Sequence, residues 1–224
     1  MHHRLKLALV ASAAALVGAC APMPSASQNP MSFFVTSANP GQGADLGGLA
    51  GADAYCQKLA TSVNAGGKNW RAYLSAAPSG ASPAVHARDR IGRGPWQNAR
   101  GVVVATSVDN LHSADNQLNK QNALTEKGEV ISGRGDAVNM HDILTGSRPD
   151  GTAVPVEPGK DTTCGNWTRS GEGLAIVGHH DRDGTNPDPV ANVSWNASHA
   201  TRGCSMDALK STGGAGLFYC FAAN

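Results

Sequence analysis

Hydrophobic and polar positions along the chain predict a few short elements separated by long polar segments. Residues 32–36 form an aromatic and β-branched run that is typical of a strand. Between residues 48 and 63 apolar side chains recur every three to four positions, which predicts the main helix, and Gly66 and Gly67 end it. Further strands are predicted at residues 70–74, 101–106 and 216–222, and a second, short helix at residues 83–93.

The middle of the chain has a different pattern. From residue 133 to about residue 194, nearly every fourth residue is Gly, Pro, Asn or Asp. A segment of this length is too long for an ordinary connection, so we expect a functional loop region. Together with the predicted strands and helices, this indicates one α+β domain over residues 32–224.

The N-terminus has the pattern of an export signal. A basic start, an apolar run over residues 7–17 and small residues before Cys20 predict a signal peptide at residues 1–19. The run is shorter than the roughly 20 apolar residues that cross a bilayer. Val17-Gly18-Ala19-Cys20 resembles a bacterial lipobox, which implies lipidation of Cys20 and a flexible tether over residues 20–31. The alternative is an ordinary signal peptide.

The sequence therefore predicts a lipid-anchored protein of the bacterial cell envelope, and Ala21 resembles outer-membrane sorting signals. The full chain has a formal net charge of +1 and no long run of like charge. Nucleic-acid binding is not expected, because it normally requires a clustered basic surface.

Four cysteines remain when Cys20 is assigned to the lipid: Cys56, Cys164, Cys204 and Cys220. An even number in an oxidising compartment predicts two disulfides, and the sequence alone leaves three connectivities open. A four-cysteine zinc site is disfavoured, since no two cysteines are separated by only two residues.

The plan of the chain resembles the C-type lectin-like fold, and within it the endostatin-like branch. The segments that carry the resemblance are Trp70-Arg-Ala-Tyr-Leu-Ser75, Ala87-Arg-Asp-Arg90, Leu144-Thr-Gly-Ser-Arg-Pro-Asp-Gly151, Cys164-Gly-Asn-Trp-Thr168 and Leu217-Phe-Tyr-Cys220. The chain is also similar to secreted bacterial lectin-like domains that open with Phe-Val-Thr-Ser and Leu-Gly-Gly-Leu-Ala-Gly-Ala-Asp, here residues 34–37 and 46–53.

The resemblance implies a twisted antiparallel sheet with one or two helices and a long disulfide-pinned loop region. It also implies the pairings Cys56–Cys220 and Cys164–Cys204. Calcium-dependent lectins carry Glu-Pro-Asn or Gln-Pro-Asp and then Trp-Asn-Asp. This chain has Asn186-Pro187-Asp188 and Trp195-Asn196-Ala197, which are closer together and lack the final carboxylate.

A polar turn over residues 179–188 is the sharpest candidate for an ion site. Oxygen side chains at Asp181, Asp183, Asn186 and Asp188 suit calcium, which prefers six to eight oxygen ligands. A solvated Asp- and Asn-rich turn and a transition-metal site at His179 and His180 are the alternatives. Calcium is thus the one cofactor that the sequence suggests, while His141-Asp142 indicates a structural hydrogen-bonded pair.

We expect a non-catalytic recognition module that binds a glycan or a surface protein through its long loops. The candidate contacts are Trp167, Trp195, Asn196 and His199, although packing beneath the loops is the other interpretation of the tryptophans. An adhesive envelope protein with only a protein partner is one alternative. Another is an oxidase like the formylglycine-generating proteins, which use a variant of the lectin-like fold and need a redox-active cysteine pair.

Overall fold

The computed structural model describes residue 1, residues 29–157 and residues 160–223. Most of the predicted signal peptide, the lipidation site Cys20 and most of the tether lie outside the described residues. The fold is mixed α+β, as predicted. Its strands are β1 Phe33–Val35, β2 Trp70–Ala72, β3 Trp96–Gln97, β4 Val103–Ala105, β5 Asp142–Leu144, β6 Ile176–His179, β7 His199–Ala200 and β8 Gly214–Ala222. Its helices are α1 Gly48–Ser62, α2 Ala87–Arg90, α3 Val108–Leu111, α4 Cys164–Trp167, α5 Pro189–Asn192 and α6 Met206–Lys210.

The C-terminal strand β8 organises the main sheet. Strands β1 and β2 pair with it in antiparallel orientation, while β5 pairs with it in parallel. Beyond β5, the strands β6 and β7 continue the sheet with antiparallel pairings. The prediction of an antiparallel sheet therefore requires one correction at β5, where the chain reaches β8 through long connections rather than a hairpin.

Two hydrophobic cores lie on opposite faces of this sheet. Alternation along β1 sends Phe34 into one core and Phe33 into the other. The first core contains the buried face of α1 and Trp70, and the second contains Tyr73 and Trp195. Both faces of the sheet are therefore covered, which explains why its short strands are buried on both sides.

Both predicted disulfides are present. Cys56 in α1 is bonded to Cys220 in β8, and Cys164 is bonded to Cys204 across a sequence separation of 40 residues. All four side chains are fully buried. The second bond pins the loop region that the sequence predicted to be irregular.

The predicted second helix is shorter than expected. It forms only as α2, because residues 76 and 85 exchange two backbone hydrogen bonds of 2.9 Å and keep the preceding segment extended. Gly92, with φ of +80°, turns the chain after it. The predicted loop region also contains the short strands β5 and β6.

The turn α4 is wound with an unusual handedness. Its four residues all have positive φ, from 49° to 68°, although only Gly165 lacks a side chain. Left-handed backbone costs other residues about 1–2 kcal/mol each. Asn166 offsets this cost by accepting from the Ala77 amide and donating to the Ala77 carbonyl.

The longest described helix is α1, with 15 residues. Among the residues that the structure describes, none forms a helix that is long and apolar enough to cross a membrane.

Candidate metal centre

Three adjacent strands bring one carboxylate and two imidazoles to the same face of the sheet. Asp142 begins β5 and lies directly opposite His179 at the end of β6. His199 begins β7 opposite Val177, two residues before His179, and side chains two apart on a strand share a face. His141 precedes Asp142, and its ring stacks on that of His179 at a centroid distance of 4.2 Å.

The three imidazoles converge on a single oxygen atom. The Nε2 atoms of His141, His199 and His179 lie 3.2, 3.3 and 3.4 Å from Asp142 Oδ1. In a tetrahedral zinc site with bonds of about 2.0–2.1 Å, neighbouring ligand atoms are about 3.3–3.4 Å apart. The separations of Asp142 Oδ1 from His141 and His179 therefore match those of ligands around a shared ion.

The centre is deeply buried, and three of its polar atoms lack hydrogen-bond partners in the described part of the chain. Neither carboxylate oxygen of Asp142 has a hydrogen-bond partner among the described residues, and neither does Nε2 of His179. The Asp142 side chain is 1% exposed, whereas that of His199 is 30% exposed. Buried polar groups are normally hydrogen-bonded, so each exception calls for an explanation.

The outer nitrogen of each imidazole faces an acceptor. Nδ1 of His179 lies 3.1 Å from the Asn192 carbonyl, and Nδ1 of His199 lies 3.1 Å from the Ala200 carbonyl. Nδ1 of His141 lies 3.3 Å from Asp181 Oδ1. Donation of the Nδ1 proton to these oxygens leaves Nε2 as the free lone pair, which is the usual arrangement around metal-binding histidines.

Electrostatics at the centre favour an ionised carboxylate. Burial raises the pKa of Asp142, but the approach of His179 and His199 outweighs it, so the pKa lies below its usual value. Contact with Asp142 raises the pKa of His199. The separations of 3.3–3.4 Å are long, and the atoms of the His179–Asp142 pair are not aligned for a hydrogen bond.

His180 does not belong to the centre. It follows the last residue of β6 and is fully buried, with Nε2 3.4 Å from the Ser132 carbonyl. Burial lowers the pKa of His180 to about 4. Of the two neighbouring histidines in the predicted transition-metal alternative, only His179 faces possible partner ligands.

The predicted calcium ligands are not assembled into one site. Within the described part of the chain, the only group of three or more His, Cys, Asp or Glu ligand atoms within 4.8 Å of one another is His141, Asp142 and His179. Asp183 forms an ion pair with Arg134, and Asp188 caps α5 by accepting from the Val190 amide.

The two remaining predicted ligands also have local partners. Asp181 accepts a 2.6 Å hydrogen bond from the backbone amide of Arg134. Asn186 donates to the Ser198 carbonyl. The cluster of candidate metal ligands therefore lies at the strand ends, and Asp181 contacts it through His141.

Three of the four predicted ligand contacts are buried. Trp167 is fully buried and donates its ring N–H to the Ser75 carbonyl, and Trp195 is 4% exposed. Asn196 is 1% exposed and donates to Tyr73 Oη. The burial of both tryptophans favours the packing interpretation, although Trp195 and Asn196 also line a second cavity, and His199 is the one member of this set at the centre.

The centre opens into a cavity of about 400 Å³ that His141, His179 and His199 line on one side. Gly213 and Gly184 keep this space free. A Cβ at Gly213 would lie 3.0 Å from His141 Nε2, and one at Gly184 would lie 2.6 Å from a carbon of the His179 ring. Side chains at these positions would displace the imidazoles.

No family model matches the chain, and no curated protein matches it. The chemistry of the centre must therefore be inferred from its geometry. Imidazole and carboxylate donors in this arrangement can coordinate a divalent transition metal ion, which can bind an additional ligand or polarise it as a Lewis acid.

Proposed function

We propose that this domain binds a divalent transition metal ion of the zinc class through His141, Asp142 and His179, with His199 beside them. One observation carries the proposal: three imidazole nitrogens surround one buried carboxylate oxygen at the separation of metal ligands. A metal ion would satisfy the carboxylate and the nitrogens of His141 and His179 at once.

A purely structural cluster of ion pairs explains these contacts less well. A protonated histidine that donates to a carboxylate does so at about 2.7–2.9 Å with good alignment. Here the three separations are 3.2–3.4 Å, and Asp142 has no aligned donor among the described residues. Leaving a buried polar group unsatisfied costs about 1–3 kcal/mol. Well-formed ion pairs would remove this cost, but the contacts around Asp142 are not aligned to do so.

The donor set favours one class of ion. Calcium prefers six to eight oxygen ligands, whereas this group combines two imidazoles with one carboxylate. Imidazole suits zinc, copper, iron and nickel, and zinc accepts a tetrahedral set of nitrogen and oxygen donors. Zinc is therefore the ion with which the proposal is first tested.

We further propose that the metal centre belongs to a non-catalytic recognition module of the C-type lectin-like kind. Support comes from the pairing of the first and last strands, and from the disulfides Cys56–Cys220 and Cys164–Cys204. Full burial of these four cysteines counts against the formylglycine-generating alternative, which needs accessible thiols.

In this proposal Cys20 carries the lipid anchor and the loop region faces a glycan or protein ligand in the bacterial cell envelope, at the outer membrane. The ion would join β5 and β6, which are short strands within that region. An adhesive protein that binds only another protein remains the alternative, and a glycan screen of the metal-loaded protein separates the two.

The test is metal content by native mass spectrometry after zinc loading and buffer exchange. We expect one zinc ion per chain, lost in Asp142→Asn and in His179→Gln. The matched control is His86→Asn, because His86 lies outside the centre and uses Nδ1 to accept from the Ala153 amide, an interaction that asparagine can keep. No bound zinc in the unaltered protein, or equal binding in Asp142→Asn, would refute the proposal.

A further inference from the structure

The cavity beside the metal centre has the size and lining of a ligand site. Its volume of about 400 Å³ lies within the range of about 300–1,000 Å³ that is typical of small-molecule pockets. Besides the three histidines, its walls include Arg134, Asn139, Thr185 and Thr212. Hydroxyl, amide and guanidinium groups of this kind match a ligand with several oxygen atoms.

An ion held by the buried group would have a coordination position left over. His141, Asp142 and His179 provide three ligand atoms within 4.8 Å of one another, while His199 lies outside that group. Zinc sites that act on exogenous molecules typically keep three protein ligands and one open position. Because the imidazoles line the cavity, the open position would face it.

Charge in the cavity favours an anion. Arg134 is the only side chain with a permanent charge among the described residues that line the cavity. Its NH1 atom pairs with Asp183 at 3.0 Å, but this pair is exposed, with 42% and 55% of the two side chains accessible. Exposed pairs are weak, and a guanidinium has further N–H donors for a second partner.

We infer that the cavity binds a uronic acid residue of an acidic glycan, with its carboxylate between the metal ion and Arg134. This inference rests on the proposed metal centre. One carboxylate oxygen takes the open coordination position, and the other accepts from the guanidinium, an anion contact that arginine makes especially well. The sugar hydroxyls then face Asn139, Thr185 and Thr212.

The test uses the protein loaded with Co²⁺ in place of zinc, because the visible spectrum of cobalt reports its ligands directly. Glucuronate, acetate and glucose are titrated separately. We expect glucuronate to change the cobalt spectrum and to bind at least about tenfold more tightly than acetate or glucose, since both the carboxylate and the hydroxyls contribute.

Substitution of Arg134 isolates the contribution of its guanidinium to ligand binding. Arg134→Gln is expected to weaken glucuronate binding about tenfold or more while cobalt still binds, whereas the exposed control Arg93→Gln leaves it unchanged. Equal affinity for acetate and glucuronate, or an unchanged cobalt spectrum, would overturn the inference while leaving the metal centre intact. Failure to bind cobalt or zinc would instead overturn the proposed function.

Discussion

Zinc should stabilise this domain by an amount that follows from the placement of its ligands. The histidines and the aspartate of the centre come from three distant parts of the sequence: His141 and Asp142, then His179, then His199. They meet only when β5, β6 and β7 pair. The unfolded chain therefore lacks the site, and binding energy is added to folding energy. At a free zinc concentration 100 times the dissociation constant, this linkage contributes about 2.7 kcal/mol.

For a domain of this size each kilocalorie raises the melting temperature by about 2–4 °C, so the expected increase is about 5–11 °C. The assay is thermal unfolding followed by circular dichroism, with zinc and then with excess EDTA. The same scans on Asp142→Asn should show no zinc-dependent shift, while His86→Asn should respond like the unaltered protein.

Two results would contradict this reasoning. An equal zinc-dependent shift in Asp142→Asn would place the ion elsewhere on the chain. A shift with calcium but not with zinc would favour the oxygen ligands of the polar turn, Asp181, Asp183, Asn186 and Asp188, over the strand-end histidines.

Three further predictions concern stability. Trp167→Phe removes the donor to the buried Ser75 carbonyl and should cost about 1–3 kcal/mol in urea unfolding; an unchanged midpoint would contradict the packing role of the ring. Because burial lowers the pKa of His180 to about 4 from 6.5, the unfolded chain binds the extra proton first as the pH falls. Stability should then be complete above about pH 6.5 and fall by up to about 1.4 kcal/mol per pH unit toward pH 4, a slope that His180→Asn should reduce. Replacing Cys164 and Cys204 by serine opens a 40-residue loop and should lower the free energy of unfolding by about 4 kcal/mol in the chain-entropy model, measured against the oxidised protein.

The sequence predicted the elements that have a local pattern. The helix α1 follows from its apolar spacing, and β8 follows from its run of aromatic residues. The disulfide pairing did not come from spacing, since four cysteines allow three connectivities, and the resemblance to lectin-like domains supplied it. Both bonds are present in the structure.

The metal centre could not be predicted in the same way. His141, His179 and His199 lie on strands or strand ends of two to four residues, which are too short to show an alternating pattern. Their proximity depends on which strands pair, and the parallel pairing of β5 with β8 has no local signal. The adjacent histidines at 179 and 180 indicated the right segment, but only His179 lies at the centre, while His180 contacts the Ser132 carbonyl.

The edge position of β7 has a consequence for the exchange of the proposed ion. Strand β7 has only two residues and forms the end of the sheet, and its His199 is the most exposed of the convergent side chains. His141, Asp142 and His179 are at most 4% exposed, and the cavity that leads to the two histidines is also lined by His199, so movement of β7 would widen the way to them. Local opening of a short edge strand requires little free energy. The buried group would therefore set the affinity for the ion, while the edge strand sets how quickly the ion enters and leaves.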